Sequence, residues 1–88
     1  MMNKVWTDDA WDDYLWWQKN DRKTLKRINA LVKDIERSPF EGIGKPEPLR
    51  HNYAGMWSRR IDILNRIIYE VRGNDLRIHS VRDYYSDK

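Results

Sequence analysis

The part of this chain best equipped for chemistry is a carboxylate set between two prolines and ringed by cations. In the tract Glu41-Gly42-Ile43-Gly44-Lys45-Pro46-Glu47-Pro48-Leu49-Arg50-His51, Glu47 has Lys45, Arg50 and His51 close by in sequence, and a basic run, Trp57-Ser58-Arg59-Arg60-Ile61, follows. Proline fixes φ and biases the residue before it toward extended backbone, so the tract presents Glu47 rather than letting it wander. A carboxylate held among cations suits acid–base work on a phosphodiester, and such a site needs neither metal nor thiol. The bland alternative is a solvated loop carboxylate.

Composition narrows the chemistry further. The 88 residues lead us to expect one small domain spanning 1–88, large enough for one core and little else. Lysine and arginine number 17 against 14 acids, a net charge of +3 that is unevenly spread. Asp8, Asp9, Asp12 and Asp13 crowd one end, whereas Arg50, Arg59, Arg60, Arg66, Arg72, Arg77 and Arg82 enrich the second half. That half reads as an electropositive surface for phosphates, or as ordinary solvated charge. There is no cysteine, which excludes disulfides, thiolate chemistry and cysteine zinc sites. His51 and His79 are too few for a histidine metal cluster, and the aspartates read more simply as acid in a first helical turn than as cation ligands. We therefore expect no metal and no cofactor. The start, Met1-Met2-Asn3-Lys4, has no apolar leader-like stretch and no run is long enough to cross a bilayer, so the expected location is cytoplasmic, away from membrane.

Several elements must position Glu47. Asn3 to Trp6 is a candidate short strand, and Thr7 a candidate N-cap for a helix from about Asp8 to Lys19. Asp21 can cap a second helix from about Arg22 to Arg37, where Leu25, Ile28, Leu31, Val32 and Ile35 form one apolar stripe. Ser38-Pro39 ends it, and residues 39–55 form a Pro/Gly-rich connection too broken for an element. Connections of that length are usually functional in a compact domain. From Met56 the period becomes two: Trp57, Arg59, Ile61 and Ile63 face one way, Ser58, Arg60 and Asp62 the other. Strands over about Arg66 to Val71 and Leu76 to Val81, joined by the turn Gly73-Asn74-Asp75, complete an antiparallel meander. The expected fold is α+β, a short strand and a helical hairpin packed on a twisted, mostly antiparallel sheet whose other face is free to bind. Adjacent Trp16 and Trp17 lie about 100° apart on their helix, so either one sits at the rim or against another chain, or both widen the buried face.

Longer motifs then bring a family into view. Trp11-Asp12-Asp13-Tyr14-Leu15, Pro39-Phe40-Glu41-Gly42, Gly44-Lys45-Pro46-Glu47-Pro48-Leu49, Gly55-Met56-Trp57-Ser58-Arg59-Arg60-Ile61 and a terminal Tyr85 resemble the YoeB/Txe toxins of the RelE/ParE superfamily, in register from about Val5 to Tyr85. The resemblance implies a bacterial type II toxin that enters the ribosomal A site and cleaves mRNA there as a metal-independent endoribonuclease. It implies neutralisation by a cognate YefM/Axe-type antitoxin, a homodimer, and repression of operator DNA through the antitoxin complex. By position it also implies Glu47 as general base, Arg60 and Arg66 on the reacting phosphate, Arg50 as the basic residue after the proline tract, and Tyr85 as the terminal tyrosine of the site. Lys45, Arg50 and Arg59 complete the expected substrate-binding set.

The chain departs from the family where a histidine precedes the final tyrosine. Tyr84 stands there, and Asn65 replaces a second family histidine before Arg66. Free tyrosine titrates near about 10 and histidine near about 6.5, so Tyr84 is protonated but a weaker donor to the leaving 5′-oxygen. We assign the acid role to Tyr84; Asp83 or His79 taking that role, or weak cleavage, are the alternatives. Arg59 and Arg60 alternate across a strand, so only one faces the site, and Arg60 lies opposite Trp57 and Ile61. Arg66 can also pair with Glu70, His51 with a local group, and Tyr84 and Tyr85 can stack on a base or anchor the C-terminus. The competing functions are a catalytically weak protein that acts by binding ribosome and antitoxin, and a gyrase inhibitor on the same fold, which would not need Glu47.

Overall fold

Thr7 separates the first strand from the first helix. The computed structural model describes residues 2–82, and in it β1 (Asn3–Trp6) stops where the Thr7 hydroxyl accepts the Ala10 N–H at 3.1 Å. Helix α1 (Asp8–Asn20) starts there, with Asp8 and Asp9 in its first turn, where carboxylates oppose the positive end of the helix dipole. Asp21 joins two helices at once. Its N–H donates to the Trp17 carbonyl, and its carboxylate accepts the Thr24 hydroxyl and N–H to open α2 (Arg22–Arg37). The Thr24 hydrogen bonds hold the Asp21 carboxyl below the usual carboxylate range. The resulting helical hairpin presents Ile28, Leu31, Val32 and Ile35 as a buried stripe, as the spacing predicts.

The stripe packs on a five-stranded sheet in the order β1-β5-β4-β3-β2. Strands β3 (Trp57–Arg60), β4 (Arg66–Arg72) and β5 (Asp75–Ser80) form the antiparallel meander, and β1 joins β5 in parallel. Ala10, Trp17, Ile28, Leu31 and Ile35 from the helices meet Ile67, Tyr69, Leu76, Ile78 and Val81 from the sheet side. Because side chains alternate along a strand, burying Ile67 and Tyr69 against the helices turns Arg66, Ile68 and Glu70 to the opposite face.

Two details differ from the sequence reading, and a third selects between alternatives that it left open. The connection 39–55 is not without elements: Glu47 and Pro48 form a short strand, β2, paired antiparallel with Ser58 and Trp57, and His51–Tyr53 form a 3₁₀ turn. A proline is tolerated there because, among the described residues, β2 is the sheet edge and its outer side pairs with no strand. Strand β3 ends at Arg60, so Ile63 does not continue its inward face but is 92% exposed. The cause is Asp62, whose Oδ1 accepts the N–H groups of Leu64 and Asn65 and so closes the β3–β4 hairpin early. The tryptophan pair divides: Trp17 is buried and donates its indole N–H to the Val81 carbonyl at 2.8 Å, whereas Trp16 is exposed and carries the Arg82 guanidinium 3.7 Å above its ring. Among the described residues no helix is long and apolar enough to cross a membrane.

Candidate active site

The pairing of three strands assembles the candidate site. Register places Glu47 opposite Ser58, Ser58 opposite Ile68, and Arg60 opposite Arg66, so β2, β3 and β4 bring one carboxylate and two guanidinium-bearing residues to the same end of the sheet. The Arg66 side chain donates from Nη1 to Glu47 Oε1 at 3.1 Å and to the Ser58 hydroxyl at 3.1 Å. The pair is unevenly buried: the Glu47 side chain is 59% exposed and that of Arg66 only 16%. Water and a substrate therefore reach the carboxylate, while Ser58, itself buried, helps hold the cation in place. A guanidinium presents planar, forked donors suited to phosphoryl oxygens, so Arg66 can exchange its carboxylate partner for a phosphate.

Glu47 is aimed by the chain before it. Pro48 keeps Glu47 extended in β2, as expected. Lys45, which precedes Pro46, is not extended: its φ is +51°, in the left-handed region. The tract turns there because the Gly44 carbonyl accepts the Arg60 N–H at 2.7 Å, and the edge strand begins two residues after Lys45. A non-glycine residue at positive φ costs on the order of 1–3 kcal/mol and persists only where neighbouring contacts impose it. Lys45, Arg50 and Arg60 are all exposed, and among the described residues no carboxylate pairs with any of them. These three cationic side chains stay available to a polyanion.

Arg59 does not belong to that set. The sequence groups it with the substrate-binding cations, but it is fully buried on the helix-facing side of β3, where its guanidinium meets Asp34 Oδ2 at 2.5 Å. The alternation along β3 is the physical reason: placing Ser58 and Arg60 at the open face forces Arg59 inward with Trp57. The Arg59 hydrogen bond, followed by the Ile43 N–H at 3.0 Å, holds the Asp34 carboxyl below the usual carboxylate range. Tyr69 donates its hydroxyl to the Pro39 carbonyl at 2.6 Å, and burial raises its pKa despite the nearby guanidinium. Nothing local in the sequence marks Asp34 or Tyr69 as polar machinery, although Arg59 sharing a face with Trp57 and Ile61 signals that a buried acid is required. Ser58 carries no such signal in the sequence; its place opposite the proline-flanked carboxylate follows only from the β2–β3 register.

The remaining sequence candidates are also placed. Arg66 does not pair with Glu70, which instead accepts from Arg72 at 3.3 Å and bonds the His79 ring at 3.0 Å. Burial pushes Glu70 upward, but His79 and Arg72 outweigh it and the net shift is down. His79 on β5 is separated from β2 by β4 and β3, which is three strand spacings, about 14 Å at about 4.8 Å each. Tyr84, Tyr85 and Asp83 lie outside the described residues. Asp13 serves the fold: its carboxylate accepts the Val81 N–H at 3.1 Å.

Comparison with known proteins gives this geometry a lineage. The pattern of the YoeB-like toxin of bacterial type II toxin–antitoxin systems matches residues 6–85. The chain belongs to this family. Toxin YoeB of Escherichia coli strain K12 is 50% identical over 84 residues, which span 96% of this chain and 100% of that relative. Among solved structures, a YoeB/ParE toxin from Agrobacterium tumefaciens superposes with a TM-score of 0.94 at 44% identity, covering 96% of this chain and 100% of that one. A Staphylococcus aureus YoeB, solved as a dimer, gives 0.89 at 42% identity over 96% of this chain and 98% of its own. The YoeB–YefM complex from the same organism gives 0.88 at 41% identity over 97% and 99%. The YoeB-like assignment thus covers nearly the whole chain, including β2, the β3–β4 hairpin and the loop that precedes Glu47.

Proposed function

We propose that this chain is a ribosome-dependent mRNA endoribonuclease toxin and that the cluster at the β2–β3–β4 end of the sheet cleaves the message in the ribosomal A site. The observation that carries the reading is the exposed Glu47 carboxylate set 3.1 Å from Arg66, which Ser58 holds in turn. When RNA arrives, Arg66 turns to a phosphoryl oxygen and Glu47 is released to act as general base. Glu47 takes the proton from the ribose 2′-OH, and the 2′-oxygen attacks the adjacent phosphorus. Arg66 and Arg60 stabilise the charge that grows on the phosphoryl oxygens. The P–O5′ bond breaks and the 5′-oxygen takes a proton, leaving a 2′,3′-cyclic phosphate and a 5′-OH. We assign that proton to Tyr84, with Tyr85 beside it, from their positions in the family pattern. Lys45 and Arg50 bind flanking phosphates. DNA lacks the attacking hydroxyl and does not react by this route.

The same family reading supplies partners and place. A YefM/Axe-type antitoxin is the cognate inhibitor, in keeping with the solved YoeB–YefM complex, and the homodimer follows the dimeric relative. Operator DNA is met through the antitoxin complex, and the setting is the cytoplasm, where translating ribosomes are.

Mapping mRNA 5′ ends in a purified translation system tests the reading. Cuts in the A site that Glu47→Ala and Tyr84→Phe both largely abolish are expected. Cutting that survives Tyr84→Phe moves the acid role elsewhere. Translation arrest without any cut would replace the nuclease by a binding inhibitor.

A further inference from the structure

We propose that Arg59 is a positioning residue for Glu47: a buried guanidinium around which the loop between α2 and β2 is wound, so that the loop delivers the carboxylate at a set place. This inference rests on the reading of Glu47 as the base and goes beyond it.

An arginine side chain has five N–H donors, and here each has an acceptor. Nε donates to the Tyr69 hydroxyl at 3.2 Å. Nη1 donates to Asp34 Oδ2 at 2.5 Å and to the Ile43 carbonyl at 3.1 Å. Nη2 donates to the carbonyls of Ser38 at 2.6 Å and Glu41 at 2.9 Å. The two acceptor side chains grip the same loop, since Asp34 also accepts the Ile43 N–H and Tyr69 donates to the Pro39 carbonyl. Backbone groups of residues 38, 39, 41 and 43 are thus tied to one cation and its two partners.

The wrap is too close for side chains at its tightest points. A Cβ on Gly42, whose φ is +127°, would lie 2.1 Å from Asp34 Oδ2 and 3.2 Å from Arg59 Nη1. A Cβ on Gly44, at φ +80°, would lie 2.8 Å from Leu31 and 3.1 Å from the Arg60 carbonyl. Immediately beyond come Lys45, bent to positive φ, then Pro46 and Glu47. The chain from the last tethered residue to the carboxylate therefore has little freedom. Arg59 and Arg60, adjacent in sequence, serve the site from opposite faces of β3.

Two variants that leave Arg59 in place test this on stalled ribosomes carrying an empty A site, with saturating toxin and single-turnover readout. Tyr69→Phe removes one Arg59 acceptor and the Pro39 tether without changing charge; Gly42→Ala wedges the wrap while keeping Arg59. Thermal melting confirms that each is folded at the assay temperature, and if Gly42→Ala does not fold then Tyr69→Phe decides alone. A misplacement of about 1 Å can cost about 100-fold in rate, so a fall of about 10- to 100-fold at saturation is expected, with the half-saturating toxin concentration unchanged. Added to Glu47→Gln, the same changes should cost nothing more, because they act through that carboxylate. Wild-type rates in the folded variants, or an equal loss in the Glu47→Gln background, would overturn the inference. Wild-type cleavage by Glu47→Gln alone would instead remove the base assignment on which it stands.

Discussion

Two carboxylate–guanidinium pairs sit on opposite faces of β3 and behave as opposites. Asp34 and Arg59 meet at 2.5 Å with side chains 8% and 0% exposed, whereas Glu47 and Arg66 meet at 3.1 Å with side chains 59% and 16% exposed. The inner pair is buried, and all five donors of its guanidinium are already engaged by Asp34, Tyr69 and backbone carbonyls. The outer pair is open to solvent on its carboxylate side, so a phosphate can reach it and compete for the guanidinium. Burial thus turns the same chemistry into a scaffold on one side and a reactive site on the other. Removing half of a buried pair strands a charge, while an exposed pair contributes only about 0–1 kcal/mol.

The sharpest way to break this comparison is Glu47→Gln. Loss of a general base predicts a fall in cleavage of about 10²- to 10⁴-fold, while the melting temperature stays at the wild-type value; a large loss of stability would mean the outer pair is structural. Arg59→Met should do the reverse. Urea denaturation should show a loss of about 3–5 kcal/mol, and the double change Asp34→Leu with Arg59→Met should recover part of it by removing both charges. Arg66→Ala should slow single-turnover cleavage by about 10²- to 10³-fold, the size of losing one charge-stabilising donor. Arg66→Lys should recover only part, because an ammonium lacks the planar fork.

The smallest effect is a pH dependence. The folded Asp34 carboxyl titrates below its unfolded value, so the stability it contributes is fully present above the unfolded pKa of about 4 and is lost as pH falls through the folded one. Denaturation curves of wild type and Asp34→Asn should therefore differ most at neutral pH and converge as pH falls below about 4. A gap that widens in acid would contradict the direction assigned to Asp34.

Much of this was legible beforehand because it depends on neighbours in sequence. The caps at Thr7 and Asp21, the apolar stripe of α2 and the strand alternation around Arg59 and Arg60 are local patterns. The family motifs likewise lie in continuous runs and single out Glu47 and Arg66. Other features needed distant residues to meet. Asp34 and Arg59 stand 25 residues apart and find each other only when α2 packs on β3. Glu47–Pro48 becomes a strand only because β3 lies beside it, and Ile63 turns outward because Asp62 closes the hairpin first.

The sequence by itself determined the chemical inventory and the secondary elements: a proline-flanked carboxylate, a run of arginines, no thiol, and two capped helices followed by a meander. Those follow from side-chain chemistry and from periods of 3.6 and 2, which a linear string records. Only the tertiary structure decided which arginine serves which carboxylate. The string marks Arg59 and Arg60 as facing opposite ways, but the partner that awaits each depends on packing between α2, the loop and the sheet. Dielectric surroundings, which separate a scaffold from a site, are a property of that packing alone.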